Sequence, residues 1–328
     1  MNKINWGILS MADIATKHVI PGMQKGELCN IEAISSRTEK RANEAAAALN
    51  IPKAYGSYEE LLADEEIEAI YNPLPNHLHV PWTIKALEAG KHVLCEKSIA
   101  VNAKEAEMLK EETEKYPRLK VMEAFMYRFH PQWEIVKNWI NSGKIGDIKT
   151  IQTMFTYHNV NPDDIRNKAG MGGGGLLDVG CYCISASRYI FDEEPLKVMG
   201  EVDMDPDFNI DRLASGILTF SKGTSVFTCS TQANRNQNLI ILGTKARIEM
   251  DNPFNPYTNA TSVYLRNKGE LLEKKTVQDD HYTLQGDAFS RSIINNESVP
   301  TPLTDAIANL KVIDAVFESS KKQLPVQL

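Results

Sequence analysis

The 328-residue sequence has no uninterrupted apolar stretch of the ~18 residues that a membrane-spanning helix needs, so no such helix is expected. It also has no Lys/Arg block of five or more, and its formal net charge is -7, which makes nucleic acid and anionic membrane poor partners. Cysteine is scarce: five residues at positions 29, 95, 181, 183 and 229, an odd and irregular set that is no disulfide framework and fits a reducing cytoplasm. The N-terminus runs straight into a strand-like segment without a secretory leader, and there is no internal repeat or low-complexity tract. What is present is ordinary globular composition, 42% hydrophobic and 24% charged. At roughly 150 residues per domain the length suggests two domains, each able to bury its own core.

The first third alternates short apolar runs with helical patterns, which predicts β-α-β units on a parallel sheet. Strands are expected over 5–9, 31–35, 68–72, 92–95 and 120–125, with helices over 14–23, 39–49, 80–89 and from 102 to about 115. Ser57 and Glu60 have the spacing of a capping box, and Asn102 with Glu105 marks another helix start. Five such units predict a doubly wound, nucleotide-binding sheet over residues 1–123. Beyond it, over 124–328, strands dominate: 147–157, 197–203, 213–220, 224–232, 239–242, 246–250 and 262–266. Several alternate apolar with polar residues, as in an antiparallel sheet with one exposed face. Helices are expected at 132–141, 176–191, 282–295 and 304–320, the last a candidate to pack back on the first domain.

The first strand-to-helix turn reads Ser10-Met11-Ala12-Asp13-Ile14, with small residues at 10 and 12 where a dinucleotide-binding turn carries glycine. Small side chains let the backbone approach a pyrophosphate, whose charge the helix N-terminus favours. Strand two ends in Ser36 and Arg37, with Arg41 one turn on, in place of the acidic residue that accepts bonds from an NAD ribose. A hydroxyl and guanidiniums suit a 2′-phosphate instead, so NADP rather than NAD is expected. Pro73, Leu74, Asn76 and His77 follow strand three, and Glu96 and Lys97 follow strand four, at the carboxyl ends where open α/β sheets bind ligands. His77 and His79 lack an acidic or cysteine partner at ligand spacing, so no metal is expected. Cys181 and Cys183 read as packing, and Tyr116 with Lys120 stands in the wrong context for a short-chain dehydrogenase pair. Four glycines, 172–175, lead into a helix on which Asp178 and Tyr182 share a face, a run that looks built for close approach to a ligand.

Together, Trp6 to Ser10, Pro73-Leu74-Pro75-Asn76-His77, Glu96-Lys97, the segment from Glu123 through Arg128 to Pro131, and Gly173 to Tyr182 resemble the glucose–fructose oxidoreductase/inositol dehydrogenase/MocA (Gfo/Idh/MocA) family. The likeness covers the whole chain in order. The segment from Asn161 to Tyr182 is similar to the branch holding NADP-dependent xylose dehydrogenase, dihydrodiol dehydrogenase and glucose–fructose oxidoreductase; inositol dehydrogenases carry histidine where this chain has Tyr182. The resemblance implies a Rossmann domain followed by an α+β domain with an open, mainly antiparallel sheet, whose outer face serves as a homodimer interface. It also implies a cofactor-binding role for Arg128. In the family pattern a proline, often after a cis peptide, follows the Glu-Lys pair; here it is Ser98, which leaves the isomer of that bond open.

Oxidising a hydroxyl needs a base for the O–H proton and a hydride acceptor at the adjacent carbon. Tyr182 is the expected proton-transfer residue, with Lys97 supplying an ammonium that favours the phenolate and Asp178 orienting the lysine or a substrate hydroxyl. His158, Asp163 and Arg166 are candidates to line the substrate pocket, because they sit on the segment leading to the glycine run. The reading is an NADP(H)-dependent oxidoreductase acting on a sugar, polyol or diol; the alternatives are a cofactor-binding sensor without turnover and an enzyme that keeps its nicotinamide between half-reactions.

Overall fold

The computed structural model describes residues 3–328; Met1 and Asn2, where the reading of the N-terminus begins, lie outside the described residues. The chain gathers into two compact units, one running to Phe129 and joined by Asp280–Ile307, the other His130–Asp279 with Ala308–Leu328. A division near Glu123 was expected; residues 280–307, assigned from sequence to the second domain, cluster with the first.

In the first unit, β1 (Ile4–Ile8), β2 (Cys29–Ser35), β3 (Lys53–Tyr55), β4 (Ala69–Asn72), β5 (His92–Glu96) and β6 (Val121–Ala124) form one parallel sheet in the order β3-β2-β1-β4-β5-β6. That order reverses between β1 and β4, the point at which doubly wound sheets bind nucleotides. The strands read as near-continuous apolar runs because both faces are covered: Trp6, Ile8, Ile34, Ile70 and Val93 are fully buried. The buried indole of Trp6 satisfies its N–H on Ser290 Oγ at 3.2 Å, in the helix His281–Ile294. Between the strands lie a π-helical turn (Ala15–Val19) with α1 (Ile20–Met23), then α2 (Glu39–Leu49), α3 (Tyr58–Leu62), α4 (Asn76–Glu88) and α5 (Ala103–Thr113). Ser57 Oγ caps α3 by accepting from Glu60 N–H at 3.2 Å, while the Glu60 carboxylate turns back onto the Gly56 amide at 3.1 Å. Asn102 caps α5 through Glu105 N–H at 2.9 Å.

In the second unit, α6 (Pro131–Asn141) precedes β7 (Ile148–His158), and a π-helical turn (Leu176–Gly180) runs into α7 (Cys181–Phe191). Then come β8 (Lys197–Met204), β9 (Asp211–Thr219), β10 (Thr224–Ser230), β11 (Gln232–Gly243), β12 (Arg247–Met250), β13 (Thr261–Asn267), β14 (Glu270–Val277) and, at the C-terminus, β15 (Val326–Gln327). They form a nine-stranded sheet, β14-β13-β12-β11-β7-β10-β9-β8-β15, antiparallel throughout except for the β10–β7 pair. One face is covered by α7, which is buried almost along its whole length. The sequence reading missed β3, β14 and β15, which are short or carry charge instead of alternation. It stopped β11 at 239–242, whereas the polar stretch from Gln232 also pairs with β7, through an irregular register between Gln232 and Asn236. All five cysteines are free and buried. Among the described residues no helix is long and apolar enough to cross a membrane, and no cluster of three or more His, Cys, Asp or Glu side chains is placed to hold a metal.

Candidate active site

The site residues expected from the sequence fall into two groups, one in each unit. In the first, the turn after β1 puts Ser10 at φ +66°, left-handed backbone that a glycine adopts without cost and a serine adopts with its side chain bonded locally. Ser10 Oγ accepts the Ala12 N–H at 3.3 Å, and the Ala12 carbonyl accepts the Thr16 amide at 3.0 Å, so the helix begins directly after the turn. Met11, Ala12 and Ile14 are half-buried, while Asp13 is exposed and paired with Lys17 at 2.6 Å. At the end of β2, Ser35 Oγ ties to the Ile8 carbonyl at 3.1 Å and Ser36 is buried. Arg37 and Arg41 are exposed, and among the described residues neither has an ion-pair partner. Both lie close enough to Tyr58 to oppose the upward push that burial gives its phenol.

The loops after β4 and β5 are stitched together. Asn72, buried, donates to the His79 carbonyl at 3.1 Å and accepts the Leu74 amide at 3.3 Å. The buried His79 ring sets Nε2 at 2.6 Å from the Leu74 carbonyl and Nδ1 at 2.7 Å from the Ser98 carbonyl. Burial pulls its pKa down to about 4. Pro73 and Leu74 are buried, Asn76 and His77 half-buried. Glu96 is held by the Tyr71 hydroxyl at 2.6 Å and accepts the Lys97 amide at 3.3 Å; burial, followed by Glu96, pushes the Tyr71 phenol well up, so it stays a donor. The Lys97–Ser98 peptide is cis, and the Ile99 amide is fixed on Glu123 Oε1 at 2.9 Å. Lys97 itself is half-buried. Arg128, its side chain 11% exposed, pairs with Asp305 at 3.0 Å and donates from Nε to the Tyr127 hydroxyl at 3.3 Å.

In the second unit the glycine run is explained by the protein itself. A Cβ on Gly173 would stand 2.4 Å from the Arg166 carbonyl, and one on Gly174, at φ +121°, would stand 1.9 Å from Asp211 Oδ1. The run was expected to make room for a ligand; what it admits is a carbonyl and a carboxylate of the same chain. The helix expected over 176–191 opens as the π turn, a feature frequent at functional sites. Asp178, in that turn, accepts a short hydrogen bond from the Tyr157 hydroxyl and another from Arg166 Nε at 3.2 Å. Arg166 Nη1 reaches Asp164 at 3.3 Å, so two carboxylates share one guanidinium. Burial and the Asp178 charge together drive the Tyr157 phenol far above its ordinary range. Tyr182 is buried, its ring 5.5 Å from both Phe155 and Phe254, which stack on each other at 5.4 Å.

Of the pocket candidates, Arg166 is brought to Asp178, whereas His158 and Asp163 are exposed; the Asp163 amide is bonded to Asn161 Oδ1 at 3.0 Å. Sequence reasoning missed Tyr157, one residue before His158. The available signal was strand alternation, which sends neighbours to opposite faces.

The whole chain has recognisable relatives. The pattern described as Oxidoreductase family, NAD-binding Rossmann fold, matches residues 4–125, and that of the GFO/IDH/MocA C-terminal domain matches residues 133–249. The chain is 40% identical to an uncharacterized oxidoreductase, ORF334, of Rhizobium meliloti, over 98% of each chain. It is 35% identical to D-xylose 1-dehydrogenase (NADP(+)) 2 of Haloferax volcanii, over 98% of this chain and 99% of the other. Among solved structures, a 3-ketoreductase from Actinomadura kijaniata in complex with NADP and TDP-benzene superposes with a TM-score of 0.90 at 28% identity, covering 97% of this chain and 98% of that one. That reductase has also been solved with a tyrosine changed to phenylalanine and with a lysine changed to alanine or glutamate. With both halves matched in order and a relative of this identity along nearly its full length, the chain belongs to the Gfo/Idh/MocA family of NAD(P)-dependent oxidoreductases.

Proposed function

We propose that this chain uses NADP(H) to move a hydride to or from the carbinol or carbonyl carbon of a sugar, polyol or related diol, with Tyr182 as the proton-transfer residue, assisted by Lys97 and Asp178. The observation that carries the reading is the segment holding Asp178 and Tyr182: a phenol walled by Phe155 and Phe254, and a carboxylate fixed by Tyr157 and Arg166. Hydride transfer needs a dry, shaped site with one proton handler, and a buried phenol on the same segment as a fixed carboxylate supports that reading. The relatives named for NADP-linked sugar chemistry, and the choice of a tyrosine and a lysine for substitution in one of them, support it.

The residues present fit the cofactor. The left-handed turn at Ser10 with the backbone of Met11, Ala12, Asp13 and Ile14 suits a pyrophosphate, and two exposed guanidiniums, without an ion-pair partner among the described residues, beside a buried serine suit a 2′-phosphate. Pro73, Leu74, Asn76 and His77 after β4, Glu96 and Lys97 at the end of β5, and Arg128 after β6 would complete the set that holds the cofactor. When bound, the nicotinamide supplies the hydride acceptor or donor. In the oxidative direction Tyr182 takes the hydroxyl proton. A free phenol titrates near 10, so an ammonium must favour its anion, and the reading requires Lys97 to reach the same substrate oxygen as Tyr182. In reduction the phenol returns the proton to the carbonyl oxygen.

The outer face of the second sheet bears Met199, Ile217 and Val226, 52%, 44% and 42% exposed, in cross-strand register on β8, β9 and β10. Such an apolar row on one open sheet face is read as the surface that a second copy of the chain covers. Light scattering on Ile217→Asp checks this: a dimer becoming a monomer is expected, and an unchanged mass refutes it. The activity is tested with a panel of aldoses, ketoses, inositols and dihydrodiols followed at the NADPH absorbance band. Turnover on at least one member with NADP preferred over NAD is expected; silence across the panel would favour a sensor.

A further inference from the structure

Asp211 opens β9 with its side chain turned inward, 3% exposed. Its Oδ2 accepts the Leu176 amide at 2.5 Å, and the Gly175 amide adds to the field that holds its charge. The absent Cβ of Gly174 is what admits its Oδ1. The glycine run is bonded on its other side too: Gly173 N–H to the Lys168 carbonyl at 3.2 Å and Gly174 N–H to the Arg166 carbonyl at 3.0 Å. The Gly174 carbonyl then receives the Asp178 amide at 3.1 Å. From Leu176 the helix continues unbroken through Gly180 into α7, so the place where Asp211 seizes the backbone is about 9 Å from Tyr182 along one rigid rod. A carboxylate at a helix N-terminus meets unsatisfied amides and the positive end of the helix dipole.

We propose that Asp211 is a positioning residue for the reaction: its carboxylate clamps the amides that open the Asp178–Tyr182 segment and thereby sets where the Tyr182 phenol stands. The proposal rests on the reading of Tyr182 as the proton handler. It explains why this segment needs glycine at 174, a requirement that ligand access does not explain.

The clamp is pH-sensitive. Burial, then Asp178, raises the Asp211 pKa to about 7, with the amides of Leu176, Asp211 and Gly175 pulling the other way. On its own strand Arg212 is turned to Asp203 of β8 at 2.8 Å; β10 contributes the Cys229 thiol, held protonated by burial; the opening turn of the helix contributes Asp178, itself bonded to Tyr157 of β7. As pH rises through 7 the carboxylate ionises and grips; as pH falls it protonates and the grip weakens.

Two measurements test this. Hydrogen exchange of the peptide spanning 172–182, corrected for intrinsic rates, is expected to accelerate in the wild-type protein as pH falls from 8 to 6, and at pH 8 in Asp211→Asn by about tenfold. Steady-state kinetics of Asp211→Asn are expected to show kcat reduced about tenfold or more with NADPH KM unchanged, and to lose a limb near pH 7 that the wild-type kcat/KM profile shows. Exchange that is flat with pH in the wild-type protein overturns the clamp even if the variant fails to fold. A loosened segment with unaltered turnover and pH profile overturns the positioning role. Wild-type protein that turns over nothing removes the enzyme reading and the positioning role with it, while the exchange result still decides the clamp.

Discussion

Replacing Tyr157 by phenylalanine removes one oxygen and leaves the ring. In the wild-type protein that hydroxyl donates to Asp178 Oδ2, and its phenol is driven so far up that it remains a donor at every working pH. A hydrogen bond to a charged acceptor contributes about 1.5–3 kcal/mol, or roughly 10- to 150-fold in an equilibrium or rate that depends on it. Arg166 Nε stays on the same oxygen at 3.2 Å and keeps the carboxylate paired, so the lower end applies: about tenfold. The substituted enzyme should therefore lose about tenfold in kcat/KM for the sugar, with the NADPH dissociation constant, read by fluorescence, within twofold of wild type. In an Asp178→Asn background the same change should cost less than twofold, because its target is already gone. Equal losses in both backgrounds, or wild-type turnover in Tyr157→Phe, would refute the account of Asp178 as a carboxylate aimed by its neighbours.

Tyr182→Phe and Lys97→Met should each lower kcat by ~10²-fold or more while NADPH binding is largely kept; wild-type turnover in either sinks the assignment. Arg37→Ala and Arg41→Ala should each raise the NADPH dissociation constant about tenfold and leave that of NADH within twofold, since only the former has a phosphate for the guanidinium; equal weakening of both cofactors would contradict the 2′-phosphate site. Folding stability should fall in acid. The buried His79 is depressed from 6.5 to about 4, so the unfolded chain binds its proton first; the stabilisation is complete above pH 6.5 and is lost as pH falls to 4, at most about 3 kcal/mol. Urea titrations at pH 7 and pH 5 should differ by about 2 kcal/mol less in His79→Gln than in wild type, and an identical difference in the two proteins would count against a neutral His79.

The parallel sheet was legible because burial on both faces writes each strand as an apolar run and each cap as a short polar signal: Glu39–Leu49 matches residue for residue, and Asn102 caps where its spacing to Glu105 says it should. The helix expected from residue 80 instead starts at Asn76, four residues earlier, with Pro81 inside it. The strands that escaped notice lack such writing. Glu270–Val277 is largely exposed and rich in charge, and the polar start of β11 is a strand only because β7 lies beside it. The site was legible in part for the same reason. Ser10, Arg37 and the Asp178–Tyr182 spacing are local signals. Asp211 carries none and Tyr157 only the alternation of its strand: each acquires a role from a partner at least 20 residues away, Asp178 in one case and Leu176 in the other.

Sequence alone determined the fold class and singled out the turn, the phenol, the ammonium and the carboxylate proposed above for the site, because periodicity, backbone permissiveness and side-chain chemistry are properties of short segments. Tertiary structure alone decided what the glycines accommodate and which groups hold Asp178. It also showed a buried carboxylate at the foot of the Tyr182 helix, since burial and charge pairing depend on residues far apart in the chain that only folding brings within bonding distance.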